Sequence, residues 1–175
     1  GFLSDYSRLK EAHAGIDQDT FWTAEPFNGF PWLEAIFGCE IRGSGEGFWA
    51  ESIDSPTEEL VHCNPLEGEN EWMDKYLEFL KTLVDYADGE FPVGQPIFRG
   101  PTDLYGTIRG HSEFVVEVMR KRDLAKKFIN NLTDFILEAG EVTRNIIPDF
   151  YGGGAIGFYD LWAPGGATWF QEDLS

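Results

Sequence analysis

Apolar residues recur along this chain in two rhythms. Between residues 69 and 86, Trp72, Tyr76, Phe79, Leu80, Leu83 and Val84 fall mostly three or four apart, while Asp74, Lys75, Glu78, Lys81 and Asp85 fall elsewhere. That spacing predicts an amphipathic helix stopped by Gly89 and Pro92. A longer stripe, running from Leu124 through Phe128, Leu132, Phe135, Ala139 and Val142 to Ile146, predicts a second helix. Asp123 would cap it, Lys126 and Lys127 would lie on its wet side, and Pro148 would end it. Shorter helices are predicted over about 5–13 behind a Ser4 cap, over 32–37 between Pro31 and Gly38, over 103–109 and over 112–119. Ser55-Pro56-Thr57 opens a further turn or short helix. The second rhythm is short and continuous. The apolar run Pro96-Ile97-Phe98 closes a strand expected over 93–98 and ends at Arg99-Gly100-Pro101, and residues 155–159 run into Asp160-Leu161-Trp162-Ala163-Pro164-Gly165-Gly166. Each reads as a buried strand feeding a polar loop. Strand, loop, helix, strand, loop is the order of an α/β fold with parallel strands.

Gly43-Ser44-Gly45-Glu46-Gly47 has glycines spaced as in a phosphate loop. No apolar strand leads in, no helix leads out, and no Lys-Ser or Lys-Thr pair follows to hold a phosphate. The stretch reads as a turn between two extended pieces, 39–41 and 48–50.

Composition narrows the picture. The formal charge of -18 would repel phosphate backbones and anionic lipid, which argues against nucleic-acid and membrane-surface partners. Two cysteines, Cys39 and Cys63, are too few for a disulfide framework, and both read as reduced, partly buried residues of a cytoplasmic protein. His13, His62 and His111 have no metal-ligand spacing, so no metal site is expected within this segment. His111, at the start of a helix, reads as a surface or capping residue. The 175 residues allow one domain or part of one. With no repeat or linker, 1–175 reads as a single domain segment. It starts without Met and stops inside a polar stretch, so it reads as a piece of a longer chain.

Three stretches carry a resemblance. Pro31-Trp32-Leu33-Glu34-Ala35-Ile36-Phe37-Gly38-Cys39, Gly100-Pro101-Thr102-Asp103-Leu104 and Asp160-Leu161-Trp162-Ala163-Pro164-Gly165 resemble the uroporphyrinogen decarboxylase superfamily. Their order and spacing agree over nearly all of the chain. The resemblance implies a (β/α)8 TIM-barrel type fold, of which this chain is roughly the middle. A half-barrel would leave open sheet edges, so the isolated chain would be expected to associate or dissolve poorly.

In such barrels the chemistry sits on loops after the C-terminal ends of strands. Asp160, Asp103 and Tyr105 are therefore candidate catalytic residues, and Arg99, Trp162, Thr102, Glu25 and Trp49 candidate substrate-binding residues. Asp103 could equally cap a helix after Pro101. Two branches of the superfamily differ in what they imply. The methyltransferase branch implies methyl transfer linked to a corrinoid (cobalamin) partner protein, with a Zn2+ whose His and Cys ligands belong to the later half of the barrel. The decarboxylase branch implies loss of carboxylate from a tetrapyrrole in haem biosynthesis. Its acid would align near Asn28-Gly29 and its Tyr near Gly106-Thr107-Ile108, so Glu25 and Tyr105 would have to be shifted equivalents. Its N-terminal Arg pair falls outside the chain. The first branch is preferred. A non-catalytic binding domain of the same fold is the third reading.

Overall fold

The computed structural model describes residues 2–17, 19, 22–27, 29–157, 161–165 and 170–171. Its helices are α1 (Phe2–His13), α2 (Trp32–Phe37), α3 (Thr57–Leu60), α4 (Glu71–Ala87), α5 (Pro101–Arg109), α6 (His111–Arg120) and α7 (Arg122–Ile146). Its strands are β1 (Ile41–Ser44), β2 (Gly47–Ala50), β3 (Gly94–Gln95), β4 (Phe98–Arg99), β5 (Gly153–Ile156), β6 (Leu161–Pro164) and β7 (Phe170–Gln171). This is the mixed α/β class that the two rhythms predict.

Contacts divide the chain into two compact units. The first comprises Gly1–Asn28, Leu77–Ile97 and Thr143–Trp169; the second comprises Gly29–Tyr76, Phe98–Val142 and Phe170–Ser175. The sequence shows no linker because two of the crossings lie inside helices α4 and α7, where no Pro or Gly cluster is needed.

In the first unit, Ala24 makes a parallel bridge to Val93, β3 pairs parallel with β5, and β5 pairs antiparallel with β6. Successive parallel stretches thus lie side by side in chain order. The core there includes Ala24, Leu80, Leu83, Ala87, Val93, Ala155 and Ile156. Lys10 caps one edge, with its ammonium 4.5 Å from the centre of the Phe91 ring and 2.6 Å from Glu90 Oε2.

In the second unit, β1 and β2 form an antiparallel hairpin, and β4 pairs parallel with β7. Aromatic rings dominate its core. Phe37 of α2 meets Phe128 and Phe135 of α7 at 6.0 and 5.8 Å, and Tyr105 of α5 meets Phe128 and Phe114 at 4.7 and 4.9 Å. Offset and edge-on pairs at these distances add to what ring burial alone contributes.

Several sequence expectations change. α1 begins at Phe2, so Ser4 and Asp5 lie inside it rather than at its cap. α7 begins at Arg122, which puts Asp123 in the first turn, where a carboxylate still complements the helix dipole. The run 93–98 splits into β3 and β4 around Pro96, which cannot donate to a ladder. Residues 161–164, expected as a loop after a parallel strand, form strand β6 folded back on β5. Glycine makes that return possible: a Cβ on Gly153 would lie 2.5 Å from the Trp162 ring. Cys39 is buried as expected, but Cys63, in the turn after α3, is exposed. Among the described residues the strands form small sheets of two and three strands, and none of these closes into a barrel. No described helix is long and apolar enough to cross a membrane.

Candidate functional site

Two groups of polar residues lie at the C-terminal ends of parallel strands, one in each unit. In the first unit the chain leaves the Ala24 bridge at Glu25, β3 at Gln95 and β5 at Gly157. Glu25 and Gln95 are 5% and 8% exposed, so this edge is polar yet withdrawn from water. The Tyr6 hydroxyl fixes the Glu25 backbone, donating to its carbonyl at 2.9 Å and accepting from its N–H at 3.0 Å. The Glu25 carboxylate packs on Gly157, where an added Cβ would fall 2.5 Å from Oε2. A larger residue at position 157 would displace it.

Trp162 lies elsewhere in that unit. Its indole N–H donates to the Phe150 carbonyl at 2.8 Å, and its ring covers Gly153 at the start of β5. Glu25 and Trp162 therefore stand at opposite ends of the same strand. Near the start of β3 and β5 a cleft of about 610 Å³ is lined by Asp85, Asp88, Asp149, Phe91, Phe150 and Tyr151, among others. All its charged lining residues are acidic. Asp160 lies outside the described residues.

In the second unit, β4 ends at Arg99 and α5 begins two residues later. The Arg99 guanidinium is held on two sides. Its Nε lies 3.2 Å from Glu34 Oε1, and its Nη1 donates to Thr107 Oγ1 at 2.9 Å. Thr107 in turn donates to the Asp103 carbonyl at 3.1 Å. Glu34 is 2% exposed, whereas the Arg99 side chain is half-exposed. Oε1 of Glu34 has no aligned hydrogen bond, so the contact with Arg99 is an ion pair only. Burial raises the Glu34 pKa above the usual carboxylate value, with Arg99 and a backbone hydrogen bond pulling the other way. The neighbouring Cys39 thiol is pushed up to about 12 by burial and by Glu34.

Asp103 and Thr102 are half-buried in the first turn of α5. Gly100 occupies the N-cap position of α5, which puts Asp103 in the first turn. His111 is exposed at the first position of α6, and Trp49 is exposed on the hairpin with its indole N–H on Glu51 Oε1 at 2.8 Å.

Tyr105 is fully buried in a closed polar network. Its hydroxyl donates to Glu117 Oε2 at 2.8 Å, and Thr57 Oγ1 donates to the same oxygen at 2.7 Å. Arg109 Nη2 lies 3.5 Å from Glu117 Oε1, and its Nε donates to Thr57 Oγ1 at 2.8 Å. Burial and the bond to Glu117 raise the Tyr105 pKa. This phenol keeps its proton and ties α5 to α6, and Arg109 ties both to the loop before α3 through the Ser55 carbonyl at 2.5 Å.

Of the residues chosen from sequence in the second unit, Arg99 reaches the backbone carbonyl of Asp103 through Thr107, Trp49 lies on the hairpin and Tyr105 belongs to the buried Glu117 network; in the first unit Trp162 covers Gly153. Sequence reasoning missed Glu34 and Glu117. Glu34 interrupts the apolar run 32–37, and Glu117 is buried on a helix whose Val115, Val116 and Met119 are exposed. A carboxylate where the pattern calls for an apolar residue was the available signal. Among the described residues no three His, Cys, Asp or Glu side chains converge to hold a metal. No protein-family profile, curated protein or solved structure matches the chain.

Proposed function

We propose that this chain is part of a uroporphyrinogen-decarboxylase-superfamily enzyme of (β/α)8-barrel type, acting in methyl transfer linked to a corrinoid protein. One observation carries the reading. The parallel stretches at Ala24, β3 and β5 lie side by side in chain order, as in a singly wound barrel, and the first two leave their pairings at buried polar residues, Glu25 and Gln95. In this reading Glu25 and Gln95 of the first unit face the reacting groups; in the second unit, taken by itself, Arg99 binds an anionic group. A zinc ion, when bound, would activate a thiol acceptor or donor. In this reading its His and Cys ligands belong to the later half of the barrel.

A second reading, decarboxylation of a tetrapyrrole, is favoured by one feature. The half-exposed Arg99, backed by a buried carboxylate, suits a ligand carboxylate. The full-length natural protein should bind zinc and move a methyl group to or from a corrinoid protein. Zinc-free protein that converts uroporphyrinogen would replace the first reading with the second. Protein with neither metal nor turnover would leave only a binding domain.

A further inference from the structure

The proposed function assigns Arg99 to an anionic group, and the following inference rests on that assignment. Glu34 lies against Nε of Arg99 as an ion pair and Thr107 accepts from Nη1, while Nη2 has no partner among the described residues and the side chain is half-exposed. Nη2 therefore keeps N–H donors that a ligand carboxylate can reach from solvent. Glu34 sits behind it, nine-tenths buried, with Oε1 lacking an aligned donor. Arg99 is the cation that faces this carboxylate, and a backbone hydrogen bond adds to its compensation.

We propose that Arg99 is a receptor for a carboxylate-bearing ligand, that Glu34 is its positioning residue, and that Glu34 takes up one proton from solvent as the ligand binds. When a second carboxylate reaches the guanidinium, one cation faces two anions. The anion in water keeps its charge and the buried one gives it up. No bond other than the O–H of Glu34 forms, and solvent supplies the proton. A dianionic phosphate would place still more charge against the single cation, so a singly charged carboxylate is the preferred ligand.

Among the described residues, the groups around Glu34 can be named element by element. β4 presents Arg99 and α5 presents Thr107 through it. α4 and α7 present the rings of Tyr76, Phe128 and Phe135 to the flanking Trp32 and Phe37. The Cys39 thiol, at about 12, stays neutral. α5 also carries Asp103 and Arg109, and Arg109 is committed to Thr57 and Glu117.

The test is a 19F NMR titration of the protein with trifluoroacetate, a carboxylate that stays ionised throughout, from about pH 5 to about pH 8. In the wild type the affinity should fall as pH rises, with a limiting slope of about tenfold per pH unit for one linked proton. Glu34→Gln should bind with no pH slope. Arg99→Gln should bind at least about tenfold more weakly, the loss of a charge-assisted hydrogen bond. Circular dichroism of both variants checks that they fold. Wild-type binding without a pH slope, Arg99→Gln binding as tightly as wild type, or methylphosphonate binding as well as trifluoroacetate would each overturn the proposal. Neither metal nor turnover enters this measurement. Turnover without carboxylate binding at Arg99 would sink this inference alone, and binding without turnover would sink the enzyme reading alone.

Discussion

The Tyr105 hydroxyl donates to Glu117 Oε2 at 2.8 Å, and both side chains are buried. A carboxylate on the inner face of α6 is tolerable because two hydroxyls and a guanidinium surround it. Tyr105→Phe removes one donor and leaves the other contacts. It should cost about 1–3 kcal/mol of stability, the range for a charged acceptor losing one buried bond. Glu117→Ala strands Arg109 and two hydroxyls and should cost more, roughly 3–5 kcal/mol. Urea unfolding of the two variants checks the order. Equal costs would mean that Arg109 and Thr57 find other partners.

Gly153 is a packing position. An added Cβ would collide with the Ala163 carbonyl and lie 2.5 Å from the Trp162 ring. Gly153→Ala should therefore loosen β6 from β5 and cost roughly 1–3 kcal/mol, as overpacking does. Trp162 fluorescence should shift to the red as its indole loses the Phe150 carbonyl. Gly154→Ala meets nothing within 4 Å and serves as the control. A similar loss in both variants would point to backbone conformation instead of contact.

Phe128 joins two parts of the aromatic core, meeting Phe37 on one side and Tyr105 on the other. It is fully buried. Phe128→Ala should cost about 3–5 kcal/mol by opening a cavity between α2, α5 and α7. Phe79→Ala, on a half-buried ring, should cost less. Denaturant midpoints compare the two.

The long helices were legible because their apolar stripes repeat many times. Met73, Tyr76, Leu80, Leu83 and Ala87 form the buried line of α4, with Trp72, Phe79 and Val84 at its margins. The six residues of α2 were legible from Pro31 and Gly38 alone. The strand β6 was not. Its sequence, Leu-Trp-Ala-Pro, reads as a loop because Pro and the following glycines signal a turn, and only the missing Cβ of Gly153 makes room for the return. The candidate site was half legible. Arg99 and Asp103 follow from their place after a strand. Glu34 was hidden because periodicity describes which face is buried and says nothing about a charge placed on it. The partner that makes such a charge tolerable, Arg99, is sixty-five positions away in the chain.

Glu34 also sets a pH dependence of stability that needs no ligand. Its carboxyl has an ordinary value of 4.5 and is raised in the folded chain, by burial first. The native state therefore holds this proton to higher pH than the unfolded state does. Its contribution to stability is largest below about the ordinary value and falls as pH rises through the folded value, by about 1.4 kcal/mol for each unit of separation. Glu34→Gln keeps the shape and cannot ionise. Its stability relative to wild type should grow as pH rises from about 4.5 and then level off. Arg99→Gln should change the wild type in the opposite sense, because Arg99 is what holds the Glu34 value down. That variant should lose stability more steeply with pH than the wild type does. Urea midpoints of the three proteins at a series of pH values give the comparison. Parallel curves for wild type and Glu34→Gln would mean that Arg99 fully offsets the burial of the carboxylate, and the pH-linked role of Glu34 would fall with it.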